Sequence, residues 1–161
     1  LAEHYKRYVD AYYRFIFVGR YTDIPRYYNR VQALIAELGW LPDRFWFTGP
    51  VPDDELAVYY RGASVYISMS EHEGFCVPLV EAMACDLPIL AYSCTAIPDT
   101  LGGAGVQFAP KDFEHAAELL GMLAFDDDVR ARVVEGQRDR LTHFASSRIE
   151  HDLRRIVERF Q

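Results

Sequence analysis

The chain reads as an α/β domain built on a doubly wound parallel sheet, and three observations predict it. Strand-like and helix-like segments alternate along the 161 residues. The strand-like runs are apolar almost throughout, as in strands covered on both faces, rather than alternating polar with apolar. The runs mostly close on glycine or a turn cluster before a helical pattern begins. Right-handed crossovers then give a Rossmann-like arrangement, with ligands expected at the carboxyl ends of the strands. Half the residues are hydrophobic and a quarter charged, a globular composition. The length suits one domain with one core, taken as residues 1–161.

The opening residues read as the body of a helix. Arg14–Val18 is an aromatic and β-branched strand ending at Gly19. Ile24–Leu38 has helical spacing, with Tyr27, Val31, Leu34, Ile35 and Leu38 on one stripe, and Gly39 as its stop. Arg44–Thr48 is the next strand, closed by Gly49-Pro50. Pro52-Asp53-Asp54-Glu55 opens a helix with acids in its first turn, where the helix dipole favours them. Leu56, Tyr59 and Tyr60 of that helix face inward. Val65–Met69 is a strand, Val77–Cys85 a helix and Leu87–Tyr92 a strand. A turn around Pro98 and a strand over Gly105–Phe108 follow. Helices over Phe113–Phe125, Val129–Leu141 and Arg148–Phe160 finish the chain. Asp126-Asp127-Asp128 reads as a helix cap.

Several functions are disfavoured by bulk chemistry. Net charge is −7, from 17 basic against 24 acidic residues, which gives no electrostatic help toward nucleic acid. Cys76, Cys85 and Cys94 fall nine residues apart, suiting neither a zinc knuckle nor a redox pair, and are read as reduced thiols. No apolar run approaches the ~18 residues that span a bilayer, and no signal peptide is visible. The expected location is cytoplasmic, at most peripheral at the inner face of a membrane. The chain is read as a piece of a longer protein.

The chemistry concentrates in Ser70–Pro88. Gly74 permits a sharp turn and the close approach of a ligand. Pro78 belongs in the first turn of a helix, where its missing N–H costs nothing. The amides of Phe75, Cys76 and Val77 just ahead of it are orphan donors at a helix N-terminus, a ready site for a diphosphate. Glu73 and Glu81 bracket that site, one toward the sugar side of a bound sugar nucleotide and the other toward the ribose. Eight residues of continuous helix span ~12 Å. That exceeds the ~5–9.5 Å between the carboxyls of a glycosidase pair, so a glycoside hydrolase is disfavoured.

Glu73-Gly-Phe-Cys-Val-Pro-Leu-Val-Glu81 resembles the E-x7-E signature of the family-4, or group 1, retaining glycosyltransferases of GT-B fold. Other segments agree in order: Phe17-Val-Gly19, Phe47-Thr-Gly49-Pro-Val51, Tyr59-Tyr60-Arg61-Gly-Ala63, Leu87-Pro88-Ile89 and Ala96-Ile97-Pro98-Asp99. The resemblance covers about residues 14–140 and implies the C-terminal, nucleotide-sugar-binding half of such an enzyme. It implies transfer of a hexose from a UDP-, GDP- or ADP-linked donor, with retained configuration and no metal or other cofactor. The acceptor, a saccharide or lipid-linked sugar, would be held by an N-terminal domain not in this sequence, so this chain alone is expected to be inactive. Glu73 would contact the transferred sugar and steady its oxocarbenium charge, and Glu81 would bind the ribose. Gly74, Phe75, Cys76 and Val77 would hold the diphosphate, and Gly49, Pro50 and Val51 would line the base. The family's usual strand and Arg/Lys loop ahead of the first helix are not recognisable. Cys76 and Asp86 stand where the family often has glycine.

Other residues carry weaker signals. Gly19 and Arg20 follow a strand, where Arg20 can meet a phosphate or the base. Glu71 and His72 are loop residues beside the donor, without partners at metal-ligand spacing. Gly102-Gly103-Ala104-Gly105 precedes a strand instead of joining strand to helix, so it is a turn and not a dinucleotide loop. Ser93, Cys94 and Thr95 follow a strand at the functional edge, and Thr95 to Ile97 lie near the phosphate. The terminal helix reads as a solvated face, of the kind that in GT-B enzymes crosses to the other domain. Two alternatives stay open: an epimerase or sugar-phosphate synthase of the same scaffold, and a non-catalytic nucleotide-sugar-binding module.

Overall fold

The computed structural model describes residues 1–10, 12–40 and 42–158, apart from the side chains of Pro42 and Asp152. Helices and parallel strands alternate as α1 (Ala2–Tyr8), β1 (Phe15–Val18), α2 (Pro25–Glu37), β2 (Phe45–Gly49), α3 (Asp53–Gly62) and β3 (Tyr66–Ser68). There follow α4 (Val77–Ala84), β4 (Ile89–Tyr92), α5 (Ile97–Leu101), β5 (Val106–Phe108), α6 (Phe113–Phe125), α7 (Asp127–Leu141) and α8 (Ser146–Glu158). The parallel α/β architecture is the expected one. No helix among the described residues is long and apolar enough to cross a membrane.

β4 shows why its residues form a buried strand. It lies between β3 and β5, pairing Leu90 with Ile67 on one side and with Val106 on the other. Ile89 and Ala91 point to one face, into a core with Leu79, Ala82 and Met83 of α4 and with Ile97 and Leu101 of α5. Leu90 points to the opposite face, against Tyr5 of α1 and Ala116, Ala117 and Leu120 of α6. The period of two is intact, but both faces are apolar because helices cover both. Each fully buried Leu, Ile or Met stabilises the fold by ~1.5–3 kcal/mol relative to exposure.

The ladder runs in two sections, β1–β2 and β3–β4–β5, instead of one continuous sheet. β1 and β3 turn their outer edges toward each other across a cleft of about 850 Å³ lined by Tyr13, Phe15, Tyr59, Tyr66 and Leu120. No described segment supplies a strand between them. This gap also explains a departure in α2. Of the stripe read from its spacing, Ile35 is buried, but Tyr27 is 71% exposed and Leu34 and Leu38 are about 40% exposed. A two-stranded sheet offers too little surface to cover the whole stripe.

Two local differences have simple causes. The segment around Pro98 is a one-turn helix and not a turn, because proline is tolerated in a first helical turn. Its end is closed by Gly102 at φ 56°, whose N–H bonds Pro98 O at 2.8 Å. α7 starts two residues earlier than its apolar spacing indicates, since Asp126 accepts from the amides of Asp128 and Val129 and so fixes the start. The acid run is thus the cap its sequence indicates.

Candidate functional site

α4 begins at the carboxyl end of β3, after the loop Met69–Cys76. Cys76 is its N-cap, buried, at φ 64° and ψ 68°, and its side chain makes no capping bond. A positive φ is a glycine's conformation, which gives the physical reason a glycine is frequent at this place in the pattern. Leu79 N donates to Cys76 O at 3.0 Å, closing the first turn. Pro78 sits in that turn, as expected. Among the described hydrogen bonds, the amides of Gly74, Phe75, Cys76 and Val77 donate to no protein acceptor. Four donors at the positive end of a helix are therefore available to an anion.

Later segments hold this loop in place. Glu73 N donates to Thr95 Oγ1 at 2.9 Å. Cys94 Sγ donates to Ser70 O at 2.9 Å, and the buried Thr100 hydroxyl donates to Phe75 O. Lys111 Nζ donates to Met69 O at 3.0 Å and to Glu71 at 2.7 Å, with Tyr92 beneath it at 4.7 Å from the ring centroid. That contact holds the Glu71 carboxyl below its usual range. Burial, with the Glu73 charge adding, pushes the Cys76 thiol up. Cys76 is packed into the core beside α4.

The two carboxylates differ. Glu73, half-buried in the loop, has no hydrogen-bond partner for its side chain among the described residues, whereas Glu81 on α4 accepts from Tyr60 Oη at 2.8 Å. At the far end of α4, Asp86 takes the left-handed conformation at φ 54°. Asp86 N bonds Met83 O and Leu87 N bonds Ala82 O, a Schellman closure in which glycine is usual. Asp86 is held there by two bonds from Arg138, at 2.7 and 2.8 Å.

Glu73, Gly74, Phe75, Cys76, Val77 and Glu81 thus form one unit. Gly19 and Gly49 form another at the ends of β1 and β2, joined by Gly19 N to Gly49 O at 3.0 Å, with φ of 130° and 77°. Arg20 and Pro50 are exposed beside them and Val51 is partly so. No described hydrogen bond links the two units. Three contributors were not read as such from sequence. The sequence places Tyr60 facing inward and in a segment that resembles the family but assigns it no role, and Thr100 lies beside the turn expected around Pro98. Lys111 follows β5, whose carboxyl end obeys the same positional rule as the other strand ends and signals it.

Comparison with known proteins finds relatives both by sequence and by fold. A family model described as glycosyl transferases group 1 matches residues 1–126. The O-antigen chain mannosyltransferase B of Escherichia coli is 32% identical over 102 residues, 55% of this chain and 27% of that protein. The MMP alpha-(1->4)-mannosyltransferase of Mycolicibacterium hassiacum is 35% identical over 115 residues, 65% of this chain and 28% of its own length. The chain therefore spans about a quarter of these relatives. Among solved structures, Anabaena HepE in complex with UDP and glucose superposes with a TM-score of 0.75 at 20% identity, covering 90% of this chain and 40% of that one. Sucrose-phosphate synthase of Thermosynechococcus elongatus does so at 0.70 and 27% identity, covering 90% and 38%.

Proposed function

Because the chain belongs to the group 1 glycosyltransferases, we propose that it is the donor-binding half of an enzyme that moves a hexose from a nucleotide diphosphate sugar to an acceptor with retention. The observation that carries this is the start of α4: four unengaged amides at a helix N-terminus, bracketed by Glu73 and Glu81. The amides of Gly74, Phe75, Cys76 and Val77 take the diphosphate. Negative charge grows on that group as the anomeric carbon–oxygen bond breaks, and donors already in position stabilise it without reorganising. Glu73, free of side-chain partners, faces the sugar and steadies its developing positive charge. Glu81 accepts from the ribose hydroxyls, and Gly49, Pro50 and Val51 with Gly19 and Arg20 flank the base. The acceptor enters on the face the leaving group departs from, held by a second domain. No metal or cofactor is needed for this division of labour, and the reaction is cytoplasmic.

Several relatives are named as mannosyltransferases, which makes a mannose donor the first to test. The full-length protein, given labelled UDP-, GDP- and ADP-sugars, yields a glycoside whose anomeric configuration matches the donor's by NMR. Glu73→Gln lowers kcat by ~10²–10³, the loss typical of one missing transition-state contact, while nucleotide affinity persists. Transfer surviving intact in both Glu73→Gln and Glu81→Gln overturns the assignment. Inversion of the anomeric centre overturns the retention.

A further inference from the structure

We infer that Tyr60 is a positioning residue that presets Glu81 for the ribose hydroxyls of the donor. The inference rests on the reading of Glu81 as the ribose acceptor and assigns a side chain which that reading leaves unused. Tyr60 lies on α3, 21 positions before Glu81 in sequence, and its hydroxyl donates to Glu81 Oε2 at 2.8 Å. The same oxygen lies 3.5 Å from Pro78 O. A phenol carries one proton, and the shorter bond to the charged acceptor takes it. The ring is half-buried, 6.0 Å from the Tyr66 ring by centroids. Burial first, then the hydrogen bond to Glu81 and its charge, push the Tyr60 hydroxyl well above the usual tyrosine range.

The consequence is geometric. A glutamate on a partly exposed helix face otherwise samples several rotamers, and ordering it on binding costs entropy. Tyr60 selects one rotamer beforehand and uses a single lone pair of Oε2. All of Oε1 and the second lone pair of Oε2 are left for two adjacent hydroxyls. Such preorganisation improves binding by removing a cost, with no new ligand contact.

The test compares UDP, GDP and ADP with their 2′,3′-dideoxy forms on the full-length protein, by titration calorimetry, using whichever base binds best. Native protein prefers the ribose form. Tyr60→Phe keeps the ring and removes the one proton. It weakens the ribose nucleotide ~5–10-fold, leaves the dideoxy form unchanged, and in turnover raises donor KM with little change in kcat. Glu81→Gln removes the ribose preference, and adding Tyr60→Phe to it costs nothing further, because the two act as one unit. A merely structural tyrosine would weaken both nucleotides alike. If native protein shows no ribose preference, the assignment of Glu81 itself fails. If the preference is present and survives Tyr60→Phe in full, only the positioning role of Tyr60 fails.

Discussion

Replacing Gln137 by leucine should destabilise the domain more than any surface change, because its side chain is tied to buried backbone. Gln137 is fully buried on α7. Its carboxamide oxygen accepts from Ile89 N at 3.0 Å, and its NH₂ donates to Leu87 O at 2.8 Å. It therefore behaves as a piece of strand, satisfying the backbone on both sides of Pro88 just where β4 begins. Leucine fits the volume but leaves one N–H and one C=O buried and unpaired. Each orphaned group costs ~1–3 kcal/mol, and the apolar side chain returns about 1, so the net loss is ~1–5 kcal/mol. At ~2–4 °C per kcal/mol for a chain of this size, Tm falls by ~2–20 °C. Urea melts of native protein and Gln137→Leu measure it. Gln137→Glu sharpens the test. Protonated, its carboxyl reproduces the donor–acceptor pair; ionised, it buries a charge and turns an acceptor toward Leu87 O. Its folded pKa is thus raised above the unfolded ~4.3. The variant is then near native stability below that value and loses it as pH rises through the folded pKa. A loss under ~1 kcal/mol for Gln137→Leu, or a glutamate variant whose deficit ignores pH, refutes the reasoning.

Three further outcomes follow from the geometry. Cys76→Val, placing a β-branched residue at φ 64°, costs ~2 kcal/mol or more, whereas Cys76→Gly stays within ~1 kcal/mol of native; urea melts showing the two equal contradict this. The Arg138 hydrogen bonds hold the Asp86 carboxyl below its usual range. Its stabilisation is therefore present above pH ~4 and is lost as pH falls through the folded value; because the pair is about half exposed, it amounts to under ~1 kcal/mol. The stability gap between native protein and Asp86→Asn, read from melts at pH 6 and pH 3, shrinks at the lower pH. Gly121→Ala puts a Cβ 2.6 Å from Val9 Cγ1, where α6 meets the end of α1, while Gly136 on α7 meets nothing within 4 Å. The first alanine destabilises by ~1–2 kcal/mol and Val9→Ala partly rescues it, and the second stabilises by ~0.5–1 kcal/mol. Equal effects at the two glycines count against the packing.

The strand–helix order was legible because short, continuously apolar runs alternate with segments of helical spacing. Ile89, Leu90 and Ala91 are apolar in succession, and a strand covered on both faces buries all three. The split between β1 and β3 was not legible, since a gap leaves no mark on the residues that line it. Tyr13, Tyr59 and Tyr66 read as ordinary core aromatics from sequence. The candidate anion site was legible in part: Gly74 and Pro78 announce a helix start, but not which side chains fix the loop ahead of it. Thr95, Thr100 and Lys111 reach that loop from 22 to 42 residues away. Contacts at such separation depend on topology and leave no local pattern.

The backbone strain of the molecule argues the same point from another direction. Its non-glycine residues at positive φ, among those described, are Cys76, Asp86 and Thr95. Cys76 opens α4, Asp86 closes it, and Thr95 bonds the amide of Glu73. Each conformation costs of order 1–3 kcal/mol and persists only where the surroundings over-determine it. Those surroundings are visible: burial of Cys76, two bonds from Arg138 to Asp86, and the 2.9 Å bond from Glu73 N to Thr95. Relaxing Cys76 to an ordinary helix cap would re-aim its own amide and that of Val77. Relaxing Thr95 would release the Glu73 amide and the carboxylate with it. The strain is therefore held by burial and by contacts from outside α4, and it fixes the backbone at both ends of that helix and at the residue that bonds the Glu73 amide.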